Sequence, residues 1–319
     1  MKNFKNWFRL FGILLFLYII WTTDWSKVLE AVRGLRWELV ALSVACFIPV
    51  IGAKAWRWQY LLHMQGITLP FGTAYHAYFA SVYLGNVTPG RAGDFLKVFY
   101  LTQKQAVTLG KGFSSVLVDR LFDLMVLLLL GLLGVALYRT SREIVMLVVI
   151  SFVVLSILAG VLLSRRLSRP IFQLFFERSF LKRFHGKASQ QVADFFDGIQ
   201  SLKQPSLLAP FLISVLSYIF FFTITYLLAV AMNLHIPLPY LVLTITIVNV
   251  VSILPISVMG VGVREAVLIP LFAAQGLPQA VAVAYSMLIF VVLGLIASSF
   301  GAWSWFHHPL NLQAQENIE

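Results

Sequence analysis

Runs of apolar residues, each closed by charged or aromatic positions, divide the chain into eight main hydrophobic segments: 8–22, 37–58, 71–88, 113–137, 143–163, 208–232, 239–258 and 278–304. Several approach or exceed the ~20 residues that carry a helix across a ~30 Å hydrocarbon core. The pattern predicts an all-α polytopic integral membrane protein. All eight tryptophans, Trp7, Trp21, Trp25, Trp37, Trp56, Trp58, Trp303 and Trp305, fall near segment ends, where amphipathic rings favour the membrane–water boundary. From Trp37 to Trp56 is about 29 Å of helix at ~1.5 Å per residue, one bilayer core.

Two shorter apolar pieces, 95–103 and 266–275, follow Gly-rich interruptions and are too short to span alone. Loop charge decides how they are used. Segment 164–207 carries Arg165, Arg166, Arg169, Arg178, Lys182, Arg183, Lys187 and Lys203 against Glu177, Asp194 and Asp197, so the positive-inside rule makes it cytoplasmic. One crossing per apolar segment from a cytoplasmic N-terminus would leave this loop outside. If 71–103 enters and returns, the loop comes inside, as do Lys104 and Lys111. Entry and return of 239–275 from the opposite side then brings the C-terminus inside. The expected architecture is six full spans plus two oppositely oriented re-entrant or broken-helix hairpins, in a single transmembrane domain over 1–305 with a short tail, 306–319. Within the basic loop, Val192, Phe195, Phe196 and Ile199 recur at the spacing of one helical face, predicting an amphipathic helix on the cytoplasmic membrane surface.

Composition agrees. The 319 residues are 60% hydrophobic and 12% charged, with a mean hydropathy of +0.86, which leaves little room for a separate soluble domain. The net charge of +11 fits cytoplasmic loops and anionic lipid, and its placement along the chain argues against nucleic acid. The opening "MKNFKNWFRLFGILLFLYIIW" is followed by "TTDW" rather than a small-residue cleavage site, so it reads as a retained helix. Cys46 is the single cysteine and allows no internal disulfide.

Two interruptions carry the chemistry. "NVTPGRAGDFLK" (86–97) contains Pro89, Gly90 and Gly93 with Arg91 and Asp94; "LPISVMGVGVREAVLIP" (254–270) contains Pro255, Gly260 and Gly262 with Arg264 and Glu265. Asn86 and Asn249 precede them. Unwound backbone at membrane depth is tolerated only inside protein or beside a wet cavity, and paired broken helices of opposite orientation build midplane sites in transporters. A third constellation, "VDRLFDLMVLLLLG" (118–131), puts Asp119 and Asp123 on one helical face with Arg120 three residues before Asp123. An ionisable residue in the apolar core costs about 2.5–3.5 kcal/mol and requires a partner or a cavity.

Asp94, Asp119, Asp123 and Glu265 balance Arg91, Lys97, Arg120 and Arg264, which makes Lys54 and Arg57 surplus cation, as a phosphate headgroup would need. The plainer reading gives Arg120–Asp123 a packing role, the glycines a turn and Lys54 a snorkelling role. Hydrolase-elbow, zinc-protease and P-loop motifs are absent, which argues against direct ATP drive and leaves no cofactor or metal expected. Asp119-x-x-x-Asp123 keeps open an alternative, a Mg²⁺-dependent intramembrane enzyme acting on polyprenyl phosphates. A non-transporting accessory subunit is a further alternative.

"TPGRAGDFLKVFYL", "SSVLVDRLFDLMVL", "LPISVMGVGVREAVLIPLF" and "AWRWQYLL" resemble the signature segments of the lysylphosphatidylglycerol synthase transmembrane-region family, also called flippase-like or UPF0104 proteins. The resemblance covers about 5–305. It implies movement of lipid across a bilayer, the lipids of the family including aminoacylated phosphatidylglycerol, other phospholipids and isoprenoid-linked or hopanoid lipids. Asp94 and Asp119 stand where glutamate is common, and Met259 where a second glycine is common. No aminoacyl-transfer domain follows residue 305, so the chain reads as the flippase half alone.

The expectation is a translocator of the bacterial cytoplasmic membrane, alone or as a homo-oligomer, with both termini cytoplasmic. It would pass an anionic or phosphate-bearing lipid, a membrane phospholipid or a polyprenyl phosphate, and is not an enzyme. Arg91, Arg120 and Arg264, with Arg57 at the entrance, are the candidate headgroup ligands. Asp94, Asp119, Asp123 and Glu265 hold those arginines or bind a coupling cation or proton. Pro89, Gly90, Gly93, Pro255, Gly260 and Gly262 are the hinges.

Overall fold

The computed structural model describes residues 18–19, 21–104, 107–137, 142–164, 166–167, 169–170, 188–202, 207–252 and 260–307. The elements among them are all helical: α1 (Trp25–Arg33), α2 (Trp37–Met64), α3 (Phe71–Val87), a 3-10 segment (Pro89–Leu96), α4 (Lys97–Lys104), α5 (Leu109–Leu137), α6 (Arg142–Leu163), α7 (Ala188–Ser201), α8 (Leu208–Ala231), α9 (Leu238–Ser252), α10 (Val263–Ala273), α11 (Gln279–Ile289), a π-helical stretch (Phe290–Ile296) and α12 (Ala297–His307). The protein is an all-α membrane protein. Helices α2, α5, α8 and the continuous rod Gln279–His307 are long and apolar enough to cross a membrane. Most of the first apolar segment, 8–22, and most of the basic loop lie outside the described residues.

The ends of α2 serve as landmarks. At its Trp37 end, the Arg36 N–H donates to the Ala231 carbonyl at 3.0 Å, so α8 runs antiparallel to α2, and these two helices form the most extensive pair in the bundle. The Gln279 side chain reaches Thr22 and Thr23 at 3.3 Å, which places the start of α11 at this same end. At the Met64 end, Gln65 Nε2 donates to Ser114 Oγ and to the Gly198 carbonyl, both at 3.0 Å. There too Ser304 Oγ donates to the His76 carbonyl at 3.1 Å.

Against these landmarks both interruptions are hairpins, and they open in opposite directions. Helices α3 and α4 open at the Met64 end; α9 and α10 open at the Trp37 end, where Tyr240 OH donates to the Leu271 carbonyl at 2.8 Å and ties the two arms. The short apolar pieces are the return arms the sequence predicts.

The first turn is built by sterics. Thr88 is extended (φ −104°, ψ 139°), the conformation a following proline favours. Its Oγ1 donates to the Leu84 carbonyl at 2.7 Å and accepts the Gly93 N–H at 2.7 Å, folding the 3-10 segment back onto α3. Gly93 lies so close that a Cβ would be 2.1 Å from the Leu84 carbonyl carbon. The second turn is built by dihedral freedom. Pro255 lies outside the described residues, and the described part of the turn passes through Gly260 (φ 75°) and Gly262 (φ 84°), a region glycine reaches at little cost.

One expectation is corrected. The apolar face of α7 does not rest on lipid: Val192, Phe195, Phe196 and Ile199 pack against Phe113 and Leu117 of α5. Gly110 N–H donates to Gln191 Oε1 at 2.8 Å, and Gly110 has no space for a Cβ against the Gln191 carbonyl. The helical periodicity showed that one face is buried; it carried no information about the partner.

Candidate functional site

The first hairpin delivers its charges into the bundle between α2, α5 and α8. Asp119 is fully buried and accepts three donors: Arg57 Nε at 2.8 Å, Lys97 Nζ at 2.5 Å and Tyr78 OH at 2.9 Å. Asp123 Oδ1 accepts Lys54 Nζ at 2.8 Å and Arg57 Nη1 at 2.9 Å. Arg57 Nη1 also donates to Ser214 Oγ of α8 at 2.9 Å. Arg120 pairs with Asp94 of the 3-10 segment and stands 3.8 Å from Asp123 Oδ2. Asp94 fits because α3 carries Gly85 beside it, where a Cβ would come within 2.5 Å of Asp94 Oδ1. At ~1.5 Å per residue, Arg57 is about 10 Å in from the Met64 end and Asp119 about 15 Å in from the start of α5.

Lys97 has a further set of neighbours. Its Nζ lies 4.0 Å from the Tyr78 ring centroid and 5.1 Å from that of Trp58, favourable placements for a desolvated ammonium. Trp58 is fixed in turn by its Nε1 donating to Ser115 Oγ at 3.1 Å.

Four described cations (Lys54, Arg57, Lys97, Arg120) therefore meet three carboxylates (Asp94, Asp119, Asp123). Arg57 Nη2 and Arg120 Nε are buried and have no hydrogen-bond partner among the described residues. A buried charge or polar donor left without a partner costs free energy.

The sequence placed Arg57 at the entrance; the structure puts it at the centre, fully buried between Asp119 and Asp123. The partly open members are Arg120 and Lys54, with side-chain exposures of 23% and 17%. Nor are Lys54 and Arg57 surplus in the expected sense, since each is paired; the excess belongs to the cluster as a whole. The side chain of Arg91 lies outside the described residues, while the backbone of Pro89, Gly90 and Arg91 belongs to the 3-10 segment.

Arg264 and Glu265 form a separate nest. Their contact is 3.3 Å, and Ser286 of α11 bridges them, accepting Arg264 Nε at 2.5 Å and donating to the Glu265 carboxylate. Glu265 Oε2 also accepts the Gly262 N–H at 2.6 Å, capping α10 at its positive end. Tyr78, Ser214 and Ser286 were not singled out from sequence. The available signal was an isolated polar group within an apolar helix.

The profile of the family described as "Lysylphosphatidylglycerol synthase TM region" matches residues 9–301. The chain belongs to this family. Among its relatives, a UPF0104 membrane protein of Methanocaldococcus jannaschii is 20% identical over 91% of this chain and 91% of its own. One of Pyrococcus horikoshii is 24% identical over 87% of this chain and 89% of its own. One of Methanothermobacter thermautotrophicus is 22% identical over 95% and 92%. The segments that carry the family resemblance are those that meet at the cluster, 88–101, 114–127 and 55–62, together with the second hairpin.

Proposed function

We propose that this member of the lysylphosphatidylglycerol synthase transmembrane-region family translocates an anionic or phosphate-bearing lipid, without hydrolysing ATP. The observation that carries the reading is the cation excess of the buried cluster among the described residues, with guanidinium N–H groups on Arg57 and Arg120 that have no hydrogen-bond partner among them. A phosphate supplies the acceptors that such a fork of donors requires. Arg120 and Lys54 receive the headgroup and Arg57 holds it, while Asp94, Asp119 and Asp123 keep the cations in place. Acyl chains remain in the lipid. The Met64 end is the cytoplasmic one in this reading, because it faces the basic loop, and both termini lie on that side of a bacterial cytoplasmic membrane.

The magnesium-enzyme alternative draws on the same two aspartates. Against it, Asp119 and Asp123 are already engaged by Arg57, Lys54 and Lys97, and a metal would have to displace these cations.

The test is transbilayer movement of labelled phosphatidylglycerol, phosphatidylethanolamine and a polyprenyl phosphate in proteoliposomes, with and without Mg²⁺. Faster movement that Arg57→Ala abolishes and Mg²⁺ leaves unchanged supports the proposal. Equal rates in empty and protein-bearing vesicles for all three lipids reject it.

A further inference from the structure

The two hairpins are fastened to opposite halves of one rod. α3 of the first is held on α12: a Cβ on Gly301 would lie 2.5 Å from the Phe79 carbonyl oxygen. Ser304 meets His76, and Asn86 Nδ2 donates to Ser298 Oγ at 3.0 Å. α10 of the second is held on α11 by Arg264 and Glu265 through Ser286, and by Phe272 against Tyr285, ring centroids 5.3 Å apart.

Between these attachments the rod is not α-helical. Phe290–Ile296 is π-helical, and the Ala297 N–H reaches back to the Val292 carbonyl, five residues earlier. Such stretches are rare and need a local cause, such as a side chain inserted at the ladder. Asn86 stands at this ladder: its Nδ2 also approaches the Leu293 and Gly294 carbonyls at 3.4 and 3.5 Å. At the start of the stretch, the Arg264 guanidinium lies 5.9 Å from the Phe290 ring centroid. Each hairpin tip thus touches one end of the same irregular turn.

A slip of one residue within the stretch would rotate α12 against α11 by on the order of 100°. The fastenings at Asn86–Ser298 and Arg264–Ser286 cannot both survive that rotation with the hairpins fixed. We infer that the π-helical stretch is a joint that couples the two hairpin tips, with Asn86 and Ser286 as its positioning residues. In the proposed translocator this joint makes rearrangement of one hairpin depend on the other; its use rests on that reading, its existence does not.

Hydrogen exchange of the full chain in phosphatidylglycerol–phosphatidylethanolamine nanodiscs tests it. Asn86→Ala should speed exchange across 290–297, and also at the Arg264 and Ala266 amides, which are bonded to the Gly260 and Gly262 carbonyls, by tenfold or more on the order of a lost protecting contact. Ser286→Ala should do the reverse, speeding exchange at Gly93, whose N–H is held by Thr88. Faster exchange confined to 290–298 in Asn86→Ala, with Arg264 and Ala266 unchanged, would overturn the coupling and leave a local packing role. Should Asn86→Ala fold poorly, Ser298→Ala removes the shortest of the same bonds and carries the same expectations. No lipid movement is measured, so coupled exchange in a protein that fails the vesicle assay would reject translocation and keep the joint.

Discussion

The two hairpins share a sequence plan of proline, glycines, arginine, acid and short helix, yet they use it differently. In the first, the acid and the following lysine leave their own hairpin: Asp94 pairs with Arg120 of α5, and Lys97 with Asp119. In the second, Glu265 caps its own helix and pairs with its neighbour Arg264. The asparagines differ in the same sense. Asn86 crosses to the π-helical stretch, whereas Asn249 Nδ2 donates to the Ile245 carbonyl within its own helix, at 2.8 Å. The first tip spreads its charges among α2 and α5, whereas the second pairs its charges with each other and meets the rod through Ser286 and Phe290. Similar local motifs thus become part of a buried ion-pair cluster or a capped turn according to what the neighbouring helices offer.

Substitutions can break or sharpen this contrast. The largest effect is expected for Asp119→Asn, which leaves Arg57 and Lys97 buried without their shared counter-charge. Breaking a buried ion pair from one side costs about 3–5 kcal/mol, read as a lowered midpoint in thermal unfolding of the purified protein. Next comes Gly93→Ala: its Cβ meets backbone rather than a movable side chain, an overpacking cost of about 2–3 kcal/mol. Glu265→Gln should cost less than Asp119→Asn, about 2–3 kcal/mol, because it strips the counter-charge from one buried cation rather than two and Ser286 still accepts from Arg264. Equal losses for Asp119→Asn and Glu265→Gln would erase the distinction between charges shared across the bundle and charges paired locally. Gly262→Ala tests the dihedral origin of the second turn and should cost about 1–3 kcal/mol, the penalty of a non-glycine residue held at φ 84°, ψ −54°. The smallest effect is expected for Gln191→Ala, about 0.5–1.5 kcal/mol for one hydrogen bond between α7 and α5. A much larger loss there would show that α7 is integral to the cluster side of the bundle.

Much of this arrangement is legible in the sequence. Segment lengths and the tryptophan positions gave the helices, because hydrocarbon thickness fixes how many apolar residues a helix needs. The charge of 164–207 gave two hairpins of opposite direction, because the positive-inside rule constrains parity. Pro89, Gly93, Gly260 and Gly262 marked the turns through their backbone chemistry, and Asp119 and Asp123 declared themselves by the cost of charge in an apolar helix.

The sequence alone could not say which cation meets which carboxylate. Arg57 and Asp119 are 62 positions apart, and Lys97 balanced equally well against several acids when charges were only counted. Pairing is a property of three-dimensional proximity in a low-dielectric interior, where a partner at 2.8 Å outweighs any distant one. The same holds for α7, whose apolar face fits lipid and protein equally in pattern, and for the π-helical stretch, which has no periodicity of its own to betray it. The chain determined which residues must be buried, bent or neutralised; the packing of α2, α3, α5 and α11 decided by whom, because those contacts form only once the helices are side by side.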